Sequence, residues 1–232
     1  MIFIHATAGL RSELDWTHRT VSTSEDNMPK TDLKTERKDL YAPPQGRFTE
    51  IVVPAMTFLM IDGHGDPNTS AEYGHAVAAL FAISYATKFI SKRETDRDHV
   101  VAPLEGLWSA NDLTAFTRGD KGQWDWTMMI RQPDWVSATM IDQAQTAAEK
   151  KLLPAGPLVR CETFDEGLSV QTLHVGSYDS EGPLIADLHH SYLPTNDLTP
   201  RGRHHEIYLN DPRRTEPAKL RVVLRQPVTR GE

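Results

Sequence analysis

The chain has one cysteine in 232 residues, Cys161. No internal disulfide can form, so a reducing compartment, the cytoplasm, is expected rather than a cross-linked secreted fold. Positive charge is scarce as well. Twenty-five Lys and Arg against 32 Asp and Glu leave a formal net charge of −7 and a pI near 5.8. General nucleic-acid binders present a basic face, so direct nucleic-acid binding is not expected. No apolar run reaches the ~20 residues of a membrane helix, and no membrane role is expected. Met1-Ile2-Phe3-Ile4 is apolar, but it has no basic leader and meets His5, Arg11 and Glu13 too soon for a secretory signal. Metal and nucleotide signatures are missing too. There is no His-Glu-x-x-His, no cysteine ligand pattern, and Gly63-His64-Gly65 does not extend into a phosphate loop. The adjacent pairs His189-His190 and His204-His205 place neighbours on opposite sides of a strand, which does not chelate one ion. No metal or other cofactor is expected.

What remains is an ordinary globular composition, 39% hydrophobic and 25% charged, on a chain long enough to bury a core. Residues 12–38 are polar without sustained periodicity and read as disordered, and Met28 is a plausible start of translation. The whole of residues 1–46 is therefore expected to be a disordered or irregular extension. β-branched and aromatic residues over 48–62, interrupted by Pro54, read as a strand pair or one bent strand. Val77, Leu80, Phe81, Tyr85 and Phe89 recur at helical spacing, which predicts a helix over 71–91. Strands follow at 100–108 and 123–132, with a polar loop at 112–122. A linker helix over 138–152 leads to a predicted hairpin, 158–164 with 168–175, across Asp165-Glu166-Gly167. A helix from Ser180 to before Pro194 and strands at 204–209 and 220–227 complete the chain. Cys161, with no His/Asp arrangement beside it, reads as a buried apolar residue.

The pattern echoes itself. Pro103-Leu104-Glu105-Gly106-Leu107-Trp108 precedes a strand ending Arg131-Gln132-Pro133. His205-Glu206-Ile207-Tyr208-Leu209 precedes one ending Arg225-Gln226-Pro227. Repeat one then covers about 47–133 and repeat two about 157–228. The expected fold is α+β: two pseudo-symmetric strand-helix-strand-strand modules forming one antiparallel-sheet domain, helices on one face, with a central ligand groove.

Alternation on a strand puts Glu206 on one face with His204 and Tyr208 and leaves His205, Ile207 and Leu209 to pack against helices. A carboxylate among aromatic walls is desolvated, so its pKa rises and it can bind a cation or act as general acid or base. If the echo is symmetric, Glu105 approaches Glu206 across the groove as a second carboxylate; the alternative is a structural ion pair, for example with Arg131. Catalytic candidates are thus Glu206, Tyr208 and Glu105. Trp124, Trp126, Met128 and Ile130 share a strand face, with Trp108 near, and tryptophans grip flat or cationic ligands. The ligand-binding candidates are Trp108, Trp124, Trp126, Tyr85 and His204, with at least one tryptophan belonging to the core.

These stretches, with Trp124-Asp125-Trp126-Thr127-Met128-Met129-Ile130 and the run from His205 to Thr215, resemble the GyrI-like small-molecule-binding domains over residues 47–228. The resemblance implies the two-module fold and a small-molecule partner. Its members include drug sensors fused to a DNA-binding helix-turn-helix, proteins that modulate DNA gyrase, and stand-alone hydrolases that open the cyclopropane ring of DNA-alkylating natural products. It also implies that Glu206 is the pocket carboxylate. The N-terminal extension is too short and irregular for a helix-turn-helix. A stand-alone hydrolase is therefore expected, with a non-catalytic drug-sequestering module and a gyrase modulator as alternatives.

Overall fold

A computed structural model describes residues 29–112, 118–150 and 153–231. In chain order the elements are β1 (Lys30–Thr31), α1 (Leu33–Glu36), α2 (Lys38–Tyr41), β2 (Thr49–Val53), β3 (Met56–His64), α3 (Ala71–Thr95), β4 (Asp98–His99), β5 (Leu104–Ala110) and β6 (Trp124–Arg131). The second half contributes α4 (Ala138–Glu149), β7 (Arg160–Phe164), β8 (Gly167–Val175), α5 (Gly182–Asp187), β9 (Leu198–Pro200), β10 (His204–Tyr208) and β11 (Arg221–Arg230). A π-helical turn over Leu188–Tyr192 carries α5 into one further helical turn, α6 (Leu193–Thr195). The expected irregular stretch over 1–28 and the centre of the β5–β6 loop, 113–117, lie outside the described residues.

The main sheet runs β2-β8-β11-β10-β5-β6-β3-β7, every neighbour antiparallel, with β9 added alongside β11. Its pseudo-twofold passes between β5 and β10, so β3-β6-β5 on one side answers β8-β11-β10 on the other. The fold is the α+β arrangement that the echo predicts, with one difference: the leading strand of each half is exchanged. β2 precedes β3 but pairs with β8, and β7 precedes β8 but pairs with β3. The hairpin expected across Asp165-Glu166-Gly167 therefore does not form. Gly167 does adopt a left-handed φ of 66°, but Glu166 is drawn into buried ion pairs with His205 and Arg225. At the sheet edge β7 has one neighbour, and Cys161, expected to be buried, is exposed there.

Helices cover one face. Ser70 caps α3 by accepting from the Tyr73 amide at 3.3 Å, and the helix ends where Asp96 turns left-handed, φ 54°. Ala76, Ala79, Leu80, Ile83 and Ile90 of α3 pack with Met140, Ile141, Ala144 and Ala148 of α4 on Leu59, Ile61, Trp126, Met128 and Ile130. Leu188 and Leu193 from the α5–α6 run meet Val170, Leu198 and Val228. Among the described residues no helix is long and apolar enough to cross a membrane.

The opposite, far face is closed by the segment expected to be irregular. Leu40 and Tyr41 cap a cluster of Met56, Phe58, Met60, Leu107, Met129, Leu173, Ile207 and Val223. Before it, β1 pairs with β4, and Leu33 is buried in the cluster of α3 and α4 on the helix face. Helices of one turn are unstable alone, and the apolar residues are too sparse to show a period. Packing, rather than propensity, orders residues 30–41.

A buried polar network ties this cover to the sheet. His205 Nδ1 lies 2.9 Å from Glu166 Oε1 and Nε2 3.0 Å from Glu105 Oε2. Arg225 donates to Glu166 Oε2 at 3.0 Å, to Gln171 Oε1 and to the Leu40 carbonyl. Gln171 donates to the Asp39 carbonyl at 2.6 Å, and Tyr41 OH to Glu105 Oε1 at 3.1 Å. Burial disfavours the His205 imidazolium, but Glu166 and Glu105 hold it up to about 8, above its ordinary 6.5. Burial raises Glu166, and His205 and Arg225 overcome that, bringing it down to about 2.

A raised folded-state pKa contributes stability that is fully present below about 6.5 and lost as pH rises through about 8. With 1.36 kcal/mol per unit, His205 contributes about 2 kcal/mol. Urea unfolding followed from pH 6 to 9 should show the wild-type midpoint falling across the alkaline half. His205→Gln should be less stable at pH 6 and flatter over the range. A wild-type midpoint constant to pH 9 would mean that the folded imidazole carries no charge.

Candidate functional site

The groove floor is the β5–β10 seam between α3 and the α5–α6 run. Glu206 lies opposite Gly106 on one side and Leu224 on the other, and His204 opposite Trp108. Because side chains alternate with period two, Glu206, His204 and Tyr208 face the helices. Leu104, Gly106, Trp108, Trp124, Trp126 and Met128 share that face through the β5–β6 register. The groove thus lies on the face of α3 and α4, and Ile207 and His205 point to the far face, where the single turn of α2 covers the sheet.

Glu105 does not join Glu206. It pairs with Ile207 and its side chain lies on the far face, bonded to Tyr41 and His205. A shift of one position moves a side chain through the sheet. The Arg-Gln-Pro triplets are true counterparts, and the register reads back from them. Leu104 pairs with Ile130, just before Arg131, as Glu206 pairs with Leu224, just before Arg225. The counterpart of Glu206 is therefore Leu104. Tyr85 is also outside the groove: it is 50% exposed and its ring contacts Phe81. Tyr73 takes the expected aromatic position, three helical turns earlier, roughly 18 Å along the axis. Apolar periodicity follows the helix stripe and does not say which end of it borders the floor.

A directed hydrogen-bond chain crosses the floor. The Trp108 indole N–H donates to Tyr208 OH at 3.0 Å, and Tyr208 donates to Glu206 Oε2 at 2.7 Å. Tyr73 stacks over Trp108 at 6.5 Å between ring centroids and meets Trp126 edge-on at 5.2 Å. Trp126 is core, and Trp124 meets Trp108 edge-on at 5.6 Å. From the second half Tyr178 packs edge-on against Tyr208 at 5.6 Å. At the rim Lys121 sits over Trp124 and 3.6 Å from Asp179, spanning the two halves. His204 Nε2 is 3.8 Å from Glu206 Oε1. Burial, with His189 and His205, brings His204 down to about 3, so it is neutral and the contact is not an ion pair. Both its ring nitrogens lack a hydrogen-bond partner among the described residues.

Burial pushes Glu206 up to about 7, opposed by the Tyr208 hydrogen bond and by His205 and Lys121. A second acid stands near it. Glu181, 4% exposed, is pushed up to about 9 by burial, then by the charges of Glu206 and Asp179, with Lys121 opposing. The sequence offers no mark of this, since Ser180-Glu181-Gly182-Pro183 reads as a solvated helix start. Tyr73, Tyr178 and Lys121 were equally unmarked. The whole is an aromatic cleft whose two acids are both held protonated above the usual carboxylate range. Such a site can hold a flat or cationic molecule and can move a proton.

Residues 48–228 match the model of the GyrI-like small molecule binding domain. The structure is similar to that of an uncharacterized conserved protein from Listeria innocua, at 40% identity and a TM-score of 0.79, over 86% of this chain and 100% of that one. It is also similar to a hydrolase from Listeria innocua, at 38% identity and a TM-score of 0.77, over 87% and 100% of the two chains. The EcmrR C-terminal domain, at 10% identity and a TM-score of 0.51 over 80% and 98% of the chains, shares the fold alone. No curated protein matches the chain.

Gly106, opposite Glu206, lets the Trp108 indole and the Met128 side chain lie close over the strand. A Cβ there would stand 2.9 Å from Trp108 Nε1 and 3.2 Å from the Met128 sulfur. Gly106→Ala should cost about 1–3 kcal/mol of stability by overpacking and shift the indole off Tyr208. Urea unfolding and near-ultraviolet circular dichroism would show both effects. Unchanged tryptophan spectra would mean the side chains absorb the methyl without giving up the hydrogen bond.

Proposed function

Because the chain belongs to the GyrI-like family of small-molecule-binding domains, we propose that its groove receives flat hydrophobic or cationic molecules and adds water to cyclopropane-bearing electrophiles, disarming genotoxins. The observation that carries this reading is Glu206, largely buried on an aromatic floor and held by Tyr208, which is itself held by Trp108. Indole and phenol rings grip a planar ligand over its faces. Glu206, ionised above about 7, takes a proton from a water that attacks the strained ring carbon. Tyr208 aims the carboxylate, so its hydroxyl acts through Glu206. Trp108, Trp124, Tyr73 and the neutral His204 supply walls and a hydrogen-bonding edge for the ligand. A similar protein from Listeria innocua bears the name hydrolase, which favours bond breaking over storage.

A second reading has its own support. Acidic groups beside aromatic faces also form a cation cage, and such a cage would sequester lipophilic cations without changing them. Mass spectrometry of protein incubated with a cyclopropane-bearing DNA alkylator separates the two. The wild type should form a water adduct with turnover. Glu206→Gln should lower the rate by about 10²-fold or more, the scale of general-base catalysis, and Tyr208→Phe by a smaller factor. The wild-type rate should fall on the acid side as pH drops through about 7. Ligand recovered intact, with tryptophan fluorescence quenched on binding, would replace hydrolysis by sequestration.

A further inference from the structure

Opening a cyclopropane by water needs two proton movements. One proton leaves the attacking water, and one must reach the fragment that takes the ring-bond electrons. Glu206 accounts for the first. His205 and Glu105 do not supply the second, since both are sealed on the far face. Tyr208 already donates its proton to Glu206.

We propose that Glu181 is the proton donor of this site, delivering its proton to the substrate oxygen as Glu206 receives one from water. This inference rests on the hydrolytic reading above. Glu181 lies at the end of the β8–α5 connection, and its amide bonds to the Tyr178 carbonyl. Tyr178 packs edge-on against Tyr208, the residue that holds Glu206. The same connection is joined to the rim of the other half through Asp179 and Lys121. Glu181 is buried, and its Oε1 has no hydrogen-bond partner among the described residues. A buried polar atom left unsatisfied is costly and tolerated where a ligand completes it.

Most of the groups around Glu181 oppose its charge. Glu206 on β10 and Asp179 on its own turn are anionic, Tyr178 and Tyr208 are neutral phenols, and Lys121 is the cation that works against them. Two carboxyls in one desolvated groove do not ionise together, and one proton is retained between them. Glu206 has Tyr208 donating to it and His205 behind its strand. Glu206 therefore ionises first, and Glu181 keeps the proton.

The step balances for a cyclopropane conjugated to a ring carbonyl. Water oxygen forms a bond to the ring methylene while Glu206 takes the water proton. The methylene–ring carbon bond breaks, and its electron pair moves through the conjugated ring to the carbonyl oxygen. That oxygen takes the proton of Glu181 and becomes a hydroxyl. The product is substrate plus water, and a proton passes from Glu206 back to Glu181 before the next turn. The substrate class this selects has its electron-accepting oxygen turned toward α5 and its cyclopropane toward Tyr208.

The test compares the full chain with Glu181→Gln and Glu206→Gln, using a cyclopropane-bearing dienone alkylator as probe. Binding is read by tryptophan quenching, turnover by mass spectrometry, and both across pH. Glu181→Gln should bind within about twofold of the wild type and lose roughly 10²-fold in kcat, the scale of general-acid catalysis. The wild-type profile should fall on the alkaline side as pH rises through about 9, and the variant should lack that limb. If the wild type adds no water, the hydrolytic reading fails and this inference with it. If the wild type turns over and Glu206→Gln does not, while Glu181→Gln keeps the full rate and the alkaline limb, this inference alone is overturned. Should Glu181→Gln not fold, the wild-type profile decides. A fall above about pH 9 supports the donor, and a rate constant to pH 10 overturns it.

Discussion

The antiparallel pairing of β5 with β10 is the contact on which the rest depends. It is the seam of the pseudo-twofold, and its register puts Glu206 against Gly106, His204 against Trp108 and Tyr208 against Leu104. The glycine opposite Glu206 lets the Trp108 indole and Met128 close in over the strand, where any larger residue would push them away. The same register brings the Trp108 indole to the Tyr208 hydroxyl and so aims the carboxylate. The helices fall to either side because each half supplies one, and the seam between halves is where neither covers the sheet.

The sheet separates two electrostatic environments through the thickness of one strand. On the far face, Glu105, Glu166, His205 and Arg225 are all buried, and each touches an opposite charge. Ionised groups are held there, with Glu166 brought low and His205 raised. On the helix face, Glu181 is buried and Glu206 largely so, beside aromatic rings and within reach of each other's charge, with Lys121 at the rim. Their charged forms are disfavoured, and both are raised. In adjacent residues of β10, the far face thus favours the charged form of His205 while the helix face disfavours that of Glu206. One is a structural cation and the other an acid poised near neutrality.

Strand exchange explains why the far face carries such a network. Since β2 joins β8 and β7 joins β3, the two halves cannot separate without breaking main-chain ladders, and the β7–β8 turn must pass close under the seam. Glu166 in that turn meets His205 and Arg225 there. Arg225 and Gln171 in turn reach the carbonyls of Leu40 and Asp39, which seats the N-terminal cover. The groove is thereby backed by this network, while Lys121, just before β6, and the β8–α5 connection stand at its rim.

Much of this was legible in the residues. The echo of Glu-containing strands and Arg-Gln-Pro endings announced two modules. Period-two alternation alone placed His204, Glu206 and Tyr208 together, and likewise Trp124, Trp126 and Met128, because alternation is a property of a single strand. The resemblance in residues 47–228 led to the GyrI-like family. Other features were decided only in three dimensions. Glu105 was lost to the far face because the symmetric position is set by cross-strand register, and one position reverses the face. Tyr73 stands where Tyr85 was expected because a helical period does not say where along its axis a helix meets the floor. Glu181 is buried because of what packs over it, and Leu40 and Tyr41 are ordered by partners more than 60 residues away, such as Glu105 and Arg225. A chain's local repeat determines which side chains travel together; which strangers they face is settled by long-range pairing, where the energy lies in contacts that no short stretch contains.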